Sequence, residues 1–349
     1  MMKKEFELRK ISEARPHLMG LATLWIVFFH SIWLNFSQPW LLEHSRLMGF
    51  LNLLREEGNC GVDIFLFLSG IGLVFSWSSL QETSDHPIRT FYYRRFSRVL
   101  PSVLAVSVLY YGWLGSKGTE DWLGKILFYG NYSAALEGNQ YWFFALLFAL
   151  YLFFPLIWKV VDKWGFGGTA GLVSAVVLGT LTLKYFISEH YFKSTEIIWT
   201  RIPIFVIGVF FGRMIRQDRK IPVWIPIACL PLAFLTWYEI RRIPPEFLFA
   251  RRYAYTALTM LITMSHAWIC SMGKGKNLLH RAVTRIGVYS MEIYLIYEGL
   301  YLYNPLGFRN QDSIGIIYML TVFVASLLLS ALLKTALERL RGTEKAQKN

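Results

Sequence analysis

Ten runs of mostly apolar residues constrain this chain more than any other feature, because each is close to the length needed to cross a hydrocarbon layer about 30 Å thick. They lie at 18–34, 62–79, 99–114, 141–158, 167–186, 197–215, 221–238, 253–272, 286–303 and 314–337. In a chain of 349 residues they leave no room for a separate soluble domain. Pro101 in the third run and Pro222, Pro226 and Pro231 in the seventh fit a membrane helix better than a soluble one. The sequence predicts an all-α, polytopic integral membrane protein of about ten transmembrane helices. A tail at 1–16 precedes a membrane domain at 17–337, and a second tail follows at 338–349.

Composition sharpens this reading. Only 17% of residues are charged and 54% are hydrophobic, which excludes a disordered chain, and 3 cysteines are too few for a disulfide scaffold. The net charge of +13 raises the question of nucleic acid, but the basic residues punctuate apolar runs instead of gathering on one polar face, so no nucleic-acid partner is expected. About two thirds of the lysines and arginines fall in alternate connecting segments that include both ends, so both termini are expected to be cytoplasmic. Arg241, Arg242, Arg251 and Arg252 stand on the opposite side, against that rule. The first apolar run follows a basic stretch, but it is too long for a signal peptide and lacks a small-residue cleavage site, so it reads as a retained span. Cys60, Cys229 and Cys270 show no metal-ligand spacing and read as small buried hydrophobes. No metal is expected, and there is no P-loop, dinucleotide fingerprint or HExxH motif.

Titratable groups inside spans are costly and therefore candidate functional sites. His30 lies roughly 22 Å across the first span, counted from Arg15 at 1.5 Å per residue. Asp63, in NCGVDIFLFLSG, enters the second span at a comparable depth, so neighbouring antiparallel helices would pair the two. A carboxylate against an imidazole fixes its tautomer and suits it to take a proton from a hydroxyl. The alternative is a histidine capped by a backbone carbonyl and an aspartate capping a helix. In FYYRRFSRVLPS, Arg94, Arg95 and Arg98 suit the phosphates of a nucleotide-bearing cofactor, although composition alone favours ordinary positive-inside charge against anionic lipid headgroups. Arg201, His266, Glu292 and Glu298 are the other charged or titratable groups at membrane depth; Glu298 approaches the depth of His30, and either glutamate could partner Arg201. Gln140, Tyr141 and Trp142 have the character of a sugar platform or of interfacial anchors.

Taken together, several stretches resemble the membrane acyltransferase-3 family. They are GLATLWIVFFHS, GVDIFLFLSGIGLVFSW, FYYRRFSRVLPS, YWFFALLFALYLFFP, RIPIFVIGVFFG and IGVYSMEIYLIYEGL, and they run in the family's order from about residue 15 to 335. The resemblance implies transfer of an acyl group, most often acetyl from acetyl-coenzyme A, to a hydroxyl of an extracytoplasmic polysaccharide or lipid-linked sugar. It implies a multi-pass protein of a cell membrane, as in the bacterial cytoplasmic membrane. His30 then matches the family's essential histidine, Asp63 the aspartate of its GVD stretch, and Arg95 and Arg98 its donor-binding pair, with Arg94 beside them. Arg201, Tyr294 and Tyr297 are candidates to hold an oxyanion, and Gln140, Trp142, Glu292 and Glu298 to meet the substrate. Two positions depart from the pattern: Met19 replaces an arginine, with Arg15 one turn earlier, and Tyr297 replaces a histidine. A transporter or flippase for a glycan or lipid-linked sugar, and a catalytically inactive family member, are the competing readings.

Overall fold

The computed structural model describes residues 5–30, 46–109, 142–244, 247–273, 277–303 and 312–346. A strand, β1 (Glu5–Glu7), and a one-turn helix, α1 (Arg9–Glu13), lead into α2 (Arg15–His30). Next, α3 (Arg46–Glu56) passes through a single 3-10 turn, Glu57–Asn59, into α4 (Cys60–Thr83). Then come α5 (Pro87–Ser107), α6 (Trp142–Thr182), α7 (Glu189–Trp199) and α8 (Ile202–Arg216). A second strand, β2 (Lys220–Pro222), precedes α9 (Trp224–Ile240), α10 (Leu248–Met272), α11 (Leu278–Val288), α12 (Ser290–Tyr303) and α13 (Asp312–Ala346). β1 and β2 pair antiparallel with Phe6 opposite Ile221, so residues expected in a plain tail are tied to the chain's middle.

Among the described residues, four helical stretches are long and apolar enough to cross a membrane: Gly49–Thr83, Trp142–Ile187, Thr195–Arg216 and Leu320–Leu337. A helix in lipid must satisfy its backbone internally and can be apolar on every face. α4 is the clearest instance, with Leu66, Phe67, Leu68, Ile71 and Val74 all buried on successive faces. Outer helices instead expose large apolar groups, such as Leu152, Phe153 and Leu156 on α6 and Leu328 and Leu332 on α13. Surfaces of that kind belong against lipid.

The expected fourth and fifth spans fall on two helical segments of α6 that meet at a kink at Gly165, whose φ of 53° only a glycine adopts readily. Two boundaries differ from those read in the sequence. The expected ninth span divides at Tyr289 into α11 and α12. The C-terminal tail continues α13 as helix as far as Ala346.

Close helix crossings at glycines hold the bundle together. A Cβ on Gly208 of α8 would stand 2.3 Å from the Phe67 carbonyl oxygen, and one on Gly70 of α4 would stand 2.5 Å from that of Phe205. The α2–α11 pair crosses in the same way: Gly20 meets the Val283 backbone and Gly287 meets that of Pro16. Small residues bring backbones into contact where lipid supplies no hydrophobic drive for association. This second crossing fixes how α2, which carries His30, sits against the chain's last third.

Candidate active site

His30 is the last residue of α2, and its Nε2 lies 3.2 Å from Oε1 of Glu298 on α12. The carboxylate is almost fully buried and the imidazole largely so. Tyr297, which precedes Glu298, sets its buried ring at a tilt with its centre 6.3 Å from that of His30, and its hydroxyl donates to the Val27 carbonyl at 3.4 Å. The imidazole thus has a carboxylate partner, as expected, but the partner is Glu298.

Asp63 is occupied elsewhere. Its Oδ1 is 3.5 Å from Nε of Arg201, and both side chains are buried, at 2% and 1% exposure. Arg201, immediately before α8, also donates to the Ile197 carbonyl at 3.2 Å and to the side-chain oxygen of Asn59. Its guanidinium lies 5.0 Å from the centre of the Trp142 ring. A charge at that depth is tolerable only when paired and hydrogen-bonded. Arg201 therefore joins the starts of α4, α6 and α8 around a single cation.

A cavity runs between α2, α4, α5, α6 and α12. Arg15, Arg95, Arg98 and Tyr151 line one end, and the wall then becomes apolar through Val99, Leu147 and Phe144 to Phe65, Val62 and Ile26. A wider cavity of about 470 Å³ adjoins it at the arginine end, sharing Arg15, Met19 and Arg98 and adding Glu292 and Lys334. Ile26 and Tyr294 mark the opposite end. His30 lies four residues beyond Ile26, and Glu298 four beyond Tyr294. Positions four apart share a helix face and are separated by about 6 Å, so the cavity points at the His30–Glu298 pair from one turn away.

The departure at Met19 has a structural counterpart. Met19 lines both cavities, and so does Arg15, whose guanidinium reaches inward across Gly72. The other expected residues divide by position. Arg95 and Arg98 line the cavity, whereas Arg94 is exposed and outside its lining. Tyr294 lines the cavity wall and packs edge-on against Phe143. Glu292 is buried at the arginine end, away from His30. Trp142 stands with Arg201, and Gln140 lies outside the described residues.

Sequence reasoning missed Glu57. Its carboxylate is fully buried, 2.9 Å from Arg251 and 3.6 Å from Arg241, and accepts the Tyr255 hydroxyl. Arg252 meets Glu196 at 3.5 Å, and Arg242 meets Glu239 at 3.4 Å. The four arginines that broke the charge rule each have an acidic partner. The signal was present in the sequence: two adjacent glutamates, Glu56 and Glu57, stand directly before an apolar run.

A family model described as an acyltransferase domain matches residues 17–335. No curated protein and no solved structure matches the chain.

Proposed function

The chain belongs to the acyltransferase-3 family, and from that premise we infer that this membrane acyltransferase moves an acyl group, acetyl in the first instance, from acyl-coenzyme A to a hydroxyl of an extracytoplasmic polysaccharide or lipid-linked sugar. The observation that carries the reading is the cavity that runs from Arg15, Arg95 and Arg98 to Ile26 and Tyr294, each one helical turn short of a member of the His30–Glu298 pair. Guanidinium groups grip phosphate oxygens through charge-assisted, often bidentate hydrogen bonds. A donor whose phosphates rest there would extend its thioester arm along the apolar wall toward His30.

At the far end Glu298 holds the imidazole. With Glu298 ionised, Nε2–H donates to Oε1 and the basic lone pair lies on Nδ1. His30 then takes the proton of the acceptor hydroxyl as its oxygen attacks the thioester carbonyl; the carbon–sulfur bond breaks, and the proton passes to the departing thiolate. Glu298 takes the orienting role expected of Asp63, while Asp63 and Arg201 hold Trp142 and the starts of three helices in place. Tyr297 supports the ring of His30 where other members carry a histidine. About ten crossings with both termini in the cytoplasm would place the arginines on the donor's side. The family assignment favours transfer over the transporter reading.

The test is acyl transfer by purified protein given acetyl-coenzyme A and a panel of glycans, with free coenzyme A as the readout. Wild type should release it in an acceptor-dependent way and His30→Ala should not. Release that persists in His30→Ala removes the base assignment.

A further inference from the structure

A second constellation lies at the start of α2, away from His30 and Glu298. His266 and Cys270 are one turn apart on α10, and His17 of α2 reaches across to them. Nδ1 of His17 is 2.9 Å from Nε2 of His266, which is itself 3.2 Å from Sγ of Cys270. One potential ligand atom from each of the three residues lies within 4.8 Å of the others. His280 of α11 stacks on the ring of His17, with ring centres 4.1 Å apart. A cavity of about 170 Å³, lined by His17, Cys270, His280 and Glu13, opens beside the group.

We propose that His17, His266 and Cys270 bind a divalent transition metal of zinc-like character. Two imidazoles and a thiolate suit an ion of borderline softness, and a structural zinc site takes four such ligands in a tetrahedron. Bonds of 2.0–2.1 Å to nitrogen and about 2.3 Å to sulfur put ligand nitrogens about 3.3 Å apart and nitrogen and sulfur about 3.6 Å apart. The side chains are half-buried, and shifts on the order of one ångström bring all three to those separations. His266 Nε2 carries one proton or one lone pair, yet it faces two partners. A metal ion takes a lone pair from all three atoms together, and the Cys270 thiol releases its proton on binding. The cavity leaves room for a fourth ligand, water or Glu13. Lys10, which also lines the cavity, pairs with Glu13 at 2.8 Å, and the carboxylate offsets the repulsion its ammonium would exert on an incoming cation. The three ligands come from helices far apart in sequence, so an ion would clamp the end of α10 to the first turn of α2, two residues from Arg15.

Purified full-length protein, stripped with a chelator and kept reduced in detergent, is titrated with Co²⁺. Tetrahedral cobalt with a sulfur ligand shows intense visible bands and a near-ultraviolet charge-transfer band. Wild type should gain both in proportion to a single site and lose them when Zn²⁺ is added. Cys270→Ser should lose the charge-transfer band, His17→Ala should lose both, and Cys60→Ser and Cys229→Ser should keep both. Zn²⁺ should raise the Tm of wild type and not that of Cys270→Ser, a comparison that stands even if a histidine variant does not fold. A wild-type spectrum no stronger than that of Cys270→Ser overturns the proposal, as does loss of the charge-transfer band in Cys60→Ser.

Discussion

The guanidinium of Arg15 occupies the space that a side chain at position 72 would take: a Cβ on Gly72 would stand 2.6 Å from its Nη1. The absence of a side chain on α4 is what lets an arginine at the start of α2 turn inward and join Arg95 and Arg98. Arg15 thereby brings a guanidinium into a cavity that Met19 lines only with a thioether.

Gly72→Val should therefore behave like Arg15→Ala. Loss of one charge-assisted contact, about 1.5–3 kcal/mol, should raise the donor KM roughly tenfold or more at nearly constant kcat. A Gly72→Val enzyme with unchanged donor KM would show that Arg15 does not touch the donor.

Arg95→Ala and Arg98→Ala should each raise donor KM, whereas Arg94→Ala, exposed and outside the cavity lining, should change it less than twofold. Steady-state kinetics on the three variants distinguishes a shaped site from general positive charge. Equal effects at all three would favour the latter.

His30→Ala should lower turnover by a factor on the order of 10² to 10⁴, the range of general base catalysis, with membrane insertion intact. Glu298→Gln keeps the shape but removes the negative partner, and should lower kcat while leaving donor KM in place. Asp63→Asn should cost stability first. If Asp63→Asn abolishes turnover in folded protein and Glu298→Gln does not, the two carboxylates have been assigned the wrong way round.

Arg201→Met leaves the Asp63 carboxylate buried without its cation, a loss of about 3–5 kcal/mol. Thermal unfolding in detergent should show a clear fall in Tm, partly restored by adding Asp63→Asn to the same chain. An unchanged Tm in the single variant would mean that the pair contributes little.

Gly208→Leu sets a side chain against the backbone of Phe67, which cannot rotate away as a side chain would. The cost should exceed the 1–3 kcal/mol typical of overpacking, and folded yield on size-exclusion chromatography should collapse. Gly171→Leu, where no neighbour lies within 4 Å, is the control that should fold normally.

The sequence carries depth but not direction around a helix axis. His30, Asp63 and Glu298 all fall at comparable heights, so counting residues could not choose between the two acids. The choice follows from the Gly20–Gly287 crossing, which seats α2 beside the segment leading into α12. Helical spans were legible because apolar length is a local property. The break near Gly165 was legible too, because a short segment carrying Lys159 and Lys163 separates two apolar runs, although the positive φ at the glycine was not. Arg241, Arg251 and Arg252 looked anomalous because their partners, Glu57 and Glu196, lie far away in the chain. His17 and His266 were invisible as a pair for the same reason, and only the one-turn spacing of His266 and Cys270 could have hinted at them.

The imidazole and its carboxylate are separated by most of the chain, and this sets an order of events during synthesis. His30 is made with α2, and the arginine-lined cavity gains most of its walls from α4, α5 and α6. Glu298 follows on α12, after those walls have been made. A nascent chain can therefore build the cavity before it can give His30 its carboxylate.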